Sequence, residues 1–240
     1  MKPPEWIVSD LDETLLRSDN TISDYTLTVL KRVRASGSKF AIATTRYKSF
    51  AQKYIDILQP DAMVVSGGAI GIINDEIVHY QVMGHEKIEH LLDDLNSLPT
   101  KRPTVIDSSD GRYGDNRPVP RPFEHEANQM IIWLTKPLSQ SFIGKWSEHF
   151  LITTLWIPGL YRIADFKASK LEGLKTVLNS VDTSGVYTFG DDPMDAGMLG
   201  YYQGVAVANA HKEAREAARY HTLSNDEDGV ARWLESNFLM

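Results

Sequence analysis

The sequence predicts an α/β protein: a Rossmann-like parallel sheet with covering helices, interrupted by a smaller inserted α+β domain. Three observations predict it. Short apolar runs alternate with segments of helical period up to residue 66, the rhythm of a parallel sheet. Between about residues 82 and 166 the runs are joined by tight turns, which suits an antiparallel sheet. From residue 169 the first rhythm returns.

Each element has its own signal. Trp6-Ile7-Val8, closed by Ser9-Asp10-Leu11-Asp12, reads as a buried strand. A helix follows, with Ser23 as N-cap, Val29, Leu30 and Val33 on one face and Gly37 at its end. Residues 40–45 form the second strand and 49–58 the second helix, where Phe50, Tyr54, Ile57 and Leu58 recur at helical spacing. Residues 62–66 are the third strand, and 69–81 a hairpin around Asn74-Asp75. Residues 85–98 are a helix with Ile88, Leu91, Leu92 and Leu95 on one side. A loop of turn formers is expected over 108–128, then a strand at 130–134 and a helix at 138–149. Strands follow at 151–157 and 160–165, around Pro158-Gly159. Ser169-Lys170-Leu171-Glu172 has capping-box spacing and opens a helix carrying Leu171, Leu174, Leu178 and Val181. Strands at 186–189 and 204–208 and helices at 212–219 and 229–238 complete the chain. The expected domains are therefore 1–81 with 167–240, and an insert over 82–166.

Composition narrows the function. Hydrophobic residues make up 42% and charged residues 24%, ordinary for a folded protein rather than a disordered chain or a membrane span. The net charge is 25 − 32 = −7, so nucleic acid is not an expected partner. Without cysteine there is no thiolate nucleophile and no zinc–thiolate or iron–sulfur site. No apolar signal region opens the chain, and a cytoplasmic location is expected.

Two carboxylate patterns stand just past predicted strands: Asp10-x-Asp12-x-Thr14 and Gly190-Asp191-x-x-x-Asp195. Open α/β sheets bind ligands beyond the carboxyl ends of their strands. Hard oxygen ligands on two loops suit Mg²⁺ together with a substrate phosphate. An aspartate beside such an ion can attack phosphorus, and a second carboxyl can protonate the leaving alcohol. These patterns leave open which aspartate attacks. Thr44 ends the second strand with a hydroxyl for a phosphoryl oxygen. Lys170 sits in the first turn of its helix, where the dipole disfavours a cation unless a phosphate or carboxylate faces it.

Taken in order, four segments resemble the motifs of the haloacid dehalogenase-like (HAD) phosphohydrolases. They are Asp10-Leu-Asp12-Glu-Thr14, Ala43-Thr44-Thr45-Arg46, Lys170, and Gly190-Asp191-Asp192-Pro-Met194-Asp195. An insert between the second and third looks like the C2 cap of the Cof-like class IIB branch. Val205-Ala206-Val207-Ala208-Asn209-Ala210 and Asn225-Asp226-Glu227-Asp228-Gly229-Val230-Ala231 are similar to late segments of that branch.

The resemblance implies a Mg²⁺-dependent phosphomonoester hydrolase acting on small phosphorylated metabolites, such as sugar phosphates or phosphorylated cofactors. It implies Asp10 as nucleophile and metal ligand, and Asp12 as acid/base and a metal ligand through its carbonyl. Thr44 and Lys170 would hold phosphoryl oxygens. Asp191 would bind the metal, and Asp195 would act on it from the second rank or through water. Thr45, Arg46 and Gly68 are the expected substrate contacts. The chain departs from the family at Met194 and Gly67, where Asn is frequent, and at Thr45, where Gly is common. A phosphomutase or phosphotransferase would share the first half-reaction, and a non-catalytic phosphometabolite sensor would keep only the pocket. In the insert, Arg112, Tyr113, Asp115 and Arg117 lie in a polar, glycine- and proline-rich loop and are expected to set specificity.

Overall fold

The computed structural model describes residues 3–155 and 157–239. Met1, Lys2, Met240 and Trp156, the last within the expected strand 151–157, lie outside the described residues. The chain divides into two compact units, Met1–His79 with Ser169–Met240, and Tyr80–Ala168.

The first unit runs β1 (Trp6–Ser9), α1 (Asp24–Ala35), β2 (Lys39–Ala43), α2 (Lys48–Leu58), β3 (Ala62–Val65), β4 (Ile70–Ile73) and β5 (Glu76–Tyr80). The second contains α3 (His85–Asn96), β6 (Val105–Ser108), β7 (Gly111–Tyr113), β8 (Ala127–Trp133), α4 (Gln140–Trp146), β9 (Leu151–Thr154) and β10 (Leu160–Ala164). The chain then returns to the first unit with α5 (Lys170–Val177), β11 (Val186–Gly190), α6 (Ala196–Tyr201), β12 (Gln203–Ala206), α7 (Lys212–Ala217), β13 (Tyr220–His221) and α8 (Gly229–Phe238).

The first unit's sheet has the order β13-β12-β11-β1-β2-β3-β4-β5. Pairs from β13 to β3 are parallel, and β4 turns back antiparallel to β3. All four residues of β1 are buried, as a strand covered on both faces requires. On one face Trp6, Val8, Ala41 and Val64 pack with Leu174 and Val177 of α5 and Met198 of α6. On α8, Trp233 stacks edge-on to Phe189 of β11, with ring centroids 5.5 Å apart.

The second unit is an antiparallel sheet in the order β7-β6-β8-β10-β9. One face carries Ile106, Met130, Ile132 and Ile163, packed with Ile88, Leu91 and Leu92 of α3 and Phe142 and Trp146 of α4. Alternate residues form a polar row across four strands. Arg162 Nε donates to Gln129 Oε1 at 2.6 Å, Gln129 Nε2 to Asp107 Oδ2 at 2.7 Å, and Arg112 Nη1 to Asp107 Oδ1 at 3.1 Å.

This row explains the main correction to the expected elements. Residues 105–108 are a strand, and the segment read as a loop over 108–128 contains β7 and the start of β8. Asp107 and Gln129 are polar yet buried, so they break the apolar pattern by which strands are recognised. Helix α6 and the two-residue β13 were likewise not anticipated, being too short to show a period.

Candidate active site

Three neighbouring parallel strands end along one edge of the first unit's sheet. Ser9 lies in register with Phe189 of β11 and Ile42 of β2. The residues that follow these strands, Asp10, Thr44 and Asp191, therefore leave the sheet side by side. The Asp10 amide still donates to Phe189 O at 3.0 Å, and the Thr44 amide to Val64 O at 2.8 Å.

Lys170 reaches the same edge from α5. Ser169 caps that helix by accepting from the Glu172 amide at 3.2 Å. The Glu172 carboxylate accepts from Lys175 at 2.8 Å. Beneath the cap lies the turn Ser66–Gly68, where φ is +53°, +64° and +105° in succession. A Cβ on Gly68 would lie 2.0 Å from the Ser169 carbonyl carbon and 2.5 Å from the Lys170 nitrogen. Only glycine lets the two backbones approach this closely, and the approach sets where Lys170 starts. The Lys170 side chain is fully buried, with Nζ 2.9 Å from Asp10 Oδ1 and 2.6 Å from Asp195 Oδ1.

Asp10, Asp191 and Asp195 each offer a carboxylate oxygen within 4.8 Å of the others. Both Asp195 oxygens are engaged: Oδ1 by Lys170, and Oδ2 by the amides of Asp191 and Asp192 at 3.1 Å each. Gly190 makes room for this, since a Cβ there would lie 2.6 Å from the Asp195 side chain. Asp191 accepts a short hydrogen bond from Thr14 Oγ1.

The electrostatics follow from this packing. Burial pushes the Asp10 carboxyl well above the usual range, with Lys170 opposing and Asp195 and Asp191 adding to the rise. Burial, then repulsion from Asp195, raises Asp191 to about 7, against the Thr14 hydrogen bond. Burial alone would pull the Lys170 ammonium down, but Asp10 and Asp195 outweigh it and hold the charge. Three carboxylates against one ammonium leave −3 + 1 = −2 when all are ionised. An all-oxygen set with that deficit fits a hard divalent cation. Asp10 and Asp191 have the oxygens to ligate one, while Asp195 orients its neighbours.

Asp12 stands apart from the buried group. Its side chain is 35% exposed, and both oxygens are taken by Arg46, from Nε to Oδ2 at 2.8 Å and from Nη2 to Oδ1 at 2.5 Å. Arg46 Nη1 donates to Phe50 O at 3.2 Å, and the guanidinium lies 5.0 Å from the Tyr54 ring centre. The Thr44 hydroxyl is buried and accepts from the Arg46 amide at 3.1 Å. Thr45 is half-buried on the same turn, and Gly68 is buried against Ser169. So Asp10, Lys170, Asp191 and Asp195 converge, and Arg46 pairs with Asp12 beside them.

Sequence reasoning assigned no role to Thr14, although the Asp-x-Asp-x-Thr spacing displayed it. It also missed the Arg46–Asp12 pair, which spans 34 residues and has no local signal. In the second unit, the residues expected to set specificity are paired among themselves. Arg112 joins Asp107 and Asp115, while Tyr113 and Arg117 both reach Asp110.

Comparison with known proteins agrees with this architecture. A family model described as haloacid dehalogenase-like hydrolase matches residues 7–132 and 121–234. The 5-amino-6-(5-phospho-D-ribitylamino)uracil phosphatase YitU of Bacillus subtilis is 26% identical over 273 residues, covering 98% of each chain. A haloacid dehalogenase-like hydrolase from Bacteroides thetaiotaomicron superposes with a TM-score of 0.85 at 20% identity, covering 98% of this chain and 100% of its own. A sugar phosphatase of HAD subclass IIB superposes at 0.81 with 18% identity, covering 97% and 98%. With a single family model spanning both halves of the sheet and the insert between them, the chain belongs to the haloacid dehalogenase-like hydrolases.

Proposed function

We propose that this protein is a Mg²⁺-dependent phosphomonoester hydrolase that works through an aspartyl-phosphate on Asp10. The observation that carries the reading is Lys170, buried between Asp10 and Asp195 with Asp191 beside them. An ammonium so placed favours the ionised form of Asp10 against the effect of burial, orients it, and meets the phosphoryl oxygens as they arrive. When bound, Mg²⁺ neutralises phosphoryl charge and aligns the group for in-line transfer. Asp10, Asp191 and the Asp12 carbonyl would hold it, with Asp195 acting from behind.

In this mechanism an Asp10 oxygen attacks phosphorus and the ester P–O bond breaks. In this step Asp12 enters protonated, its pair with Arg46 open, and gives that proton to the departing alkoxide, which leaves as the alcohol. Asp12 then takes a proton from water, whose oxygen attacks the aspartyl-phosphate and releases inorganic phosphate and free Asp10. Thr44 donates to a phosphoryl oxygen from the end of β2.

The substrate class in this reading is small phosphorylated metabolites, sugar phosphates or phosphorylated cofactors. The relatives support that class, one named for a ribityl phosphate and one for sugar phosphates. The insert over 82–166 would be the C2-type cap, with Arg112, Tyr113, Asp115 and Arg117 choosing the leaving group. Among the described residues no helix is long and apolar enough to cross a membrane. A cytoplasmic location goes with this reading. The test is release of phosphate from p-nitrophenyl phosphate. Activity should vanish with chelator, return with Mg²⁺ and be absent in Asp10→Asn. Full turnover in chelator or in Asp10→Asn overturns the reading.

A further inference from the structure

Residue 13 has a backbone that its side chain does not favour. Glu13 lies in the left-handed region, φ +53° and ψ +9°, inside the single π-type turn Leu11–Leu15. Non-glycine residues stay there only when their surroundings hold them. Asp12, immediately before, is extended at φ −67° and ψ +132°. The reversal at residue 13 therefore sets the direction in which Asp12 leaves the strand end. It also turns the chain so that Thr14 meets Asp191.

Apart from the Ser18 hydroxyl, which donates to Glu13 Oε2 at 3.3 Å, the groups that hold this reversal come from the far end of the chain. Asn209 Nδ2 donates to the Glu13 carbonyl at 2.7 Å. Asn225 Nδ2 donates to Glu13 Oε2 at 3.2 Å and to Leu16 O at 3.0 Å. The two asparagines are themselves locked, since the Asn225 amide donates to Asn209 Oδ1 at 3.0 Å. Asn225 is buried and Asn209 exposed. Residue 13 is thus gripped at its carbonyl and its carboxylate, and Leu16 at its carbonyl, by one asparagine pair. Both asparagines belong to the late segments 205–210 and 225–231, to which the mechanism above gives no task.

We infer that Asn209 and Asn225 are positioning residues for the acid/base step: they hold the left-handed turn at Glu13 and through it the aim of Asp12. This rests on the phosphatase reading, in which Asp12 protonates the leaving alcohol. Loosening the turn lets Glu13 relax toward negative φ and swings the carboxyl of Asp12 off the leaving oxygen.

Leaving-group dependence separates this role from general damage. An alkyl alkoxide must be protonated as it departs, whereas p-nitrophenolate leaves without help. The experiment measures kcat/KM, which reports the steps through release of the alcohol. It uses p-nitrophenyl phosphate and the best of a panel of alkyl phosphates, glycerol 3-phosphate and hexose 6-phosphates, with Mg²⁺. The enzymes are the wild type, Asn209→Ala and Asn225→Ala. The alkyl-to-aryl ratio should fall at least fivefold in each variant. Should Asn225→Ala not fold, the exposed Asn209→Ala carries the test alone. Equal losses on both esters, or a ratio changed less than fivefold, overturn the inference and leave the phosphatase reading intact. A wild type that hydrolyses none of these esters overturns the phosphatase reading and this inference with it.

Discussion

Lys170 Nζ stands 2.9 Å from Asp10 Oδ1 in a pocket where the lysine side chain has no exposed surface. The ammonium is the sole cation among three buried carboxylates of the described site. Replacing it with methionine keeps the stem and removes the charge. Lys170→Met should lose at least ~100-fold in kcat/KM on p-nitrophenyl phosphate. Lys170→Arg should not rescue it, because a planar fork does not fit where one small ammonium bridges Asp10 and Asp195. Activity within tenfold of wild type in either variant would contradict the role given to this lysine.

The raised carboxyls make a prediction about the metal-free protein. Asp191 holds its proton to about pH 7 in the fold, and Asp10 is raised in the same direction. In the unfolded chain both titrate near the ordinary aspartate value, about 4. Below that value neither state is penalised. Between it and about pH 7 the folded state binds more protons, so stability falls as pH rises. Thermal melts in chelator should therefore show a lower Tm at pH 8 than at pH 5, after correction for the rest of the chain with Asp191→Asn. That variant should be the more stable protein at pH 8 in chelator and should gain less from Mg²⁺. A wild type unaffected by pH across this window would remove the electrostatic basis for a cation site.

Gly68 and Gly37 separate two reasons for a glycine. Both have positive φ, +105° and +103°. At Gly37 nothing lies within 4 Å of a built Cβ, whereas at Gly68 the Ser169 carbonyl carbon would be 2.0 Å away. Gly37→Ala should cost about 1–2 kcal/mol, the conformational penalty alone. Gly68→Ala adds a backbone clash and should cost about 3 kcal/mol or more. For a chain of this length that is a Tm fall of roughly 6 °C or more by calorimetry. Because the clash falls on the first turn of α5, the residual folded Gly68→Ala should also lose activity. Equal melting shifts for the two variants would show that the approach of the 66–68 turn to α5 is not tight.

How far the sequence could be read depends on the range of each interaction. The β1, β2 and β11 strands were legible because burial on both faces makes their runs continuously apolar. Asp10 and Asp191 were legible as strand-end carboxylates, and Lys170 as a cation at the wrong end of a helix dipole. Strand β6 was not, because Asp107 is buried through its pairing with Gln129 and Arg112 on neighbouring strands. The same limit hid what the Asn225 side chain does, since it donates to Glu13 and Leu16 more than two hundred positions away. The sequence pattern reports what a residue's own element needs, and is silent on needs met by a distant one.

Arg46 is the residue whose expected and observed settings differ most. The family resemblance makes Arg46 an expected substrate contact, and within the protein its donors are engaged as follows. Nε and Nη2 hold the two oxygens of Asp12, Nη1 holds Phe50 O, and Tyr54 covers the face. A substrate ligand and a holder of Asp12 leave different kinetic traces. Loss of a substrate contact made equally in ground and transition states raises KM and spares kcat. Loss of the group that steadies Asp12 lowers kcat and leaves KM nearly unchanged. Arg46→Met preserves the packing on Tyr54 and removes the charge. On an alkyl phosphate it should lower kcat by about tenfold or more with KM within about threefold. Arg46→Lys should recover little, since one ammonium cannot meet both Asp12 oxygens in the paired geometry of the guanidinium. Steady-state kinetics showing KM raised tenfold at unchanged kcat would support Arg46 as a substrate contact and contradict its hold on Asp12.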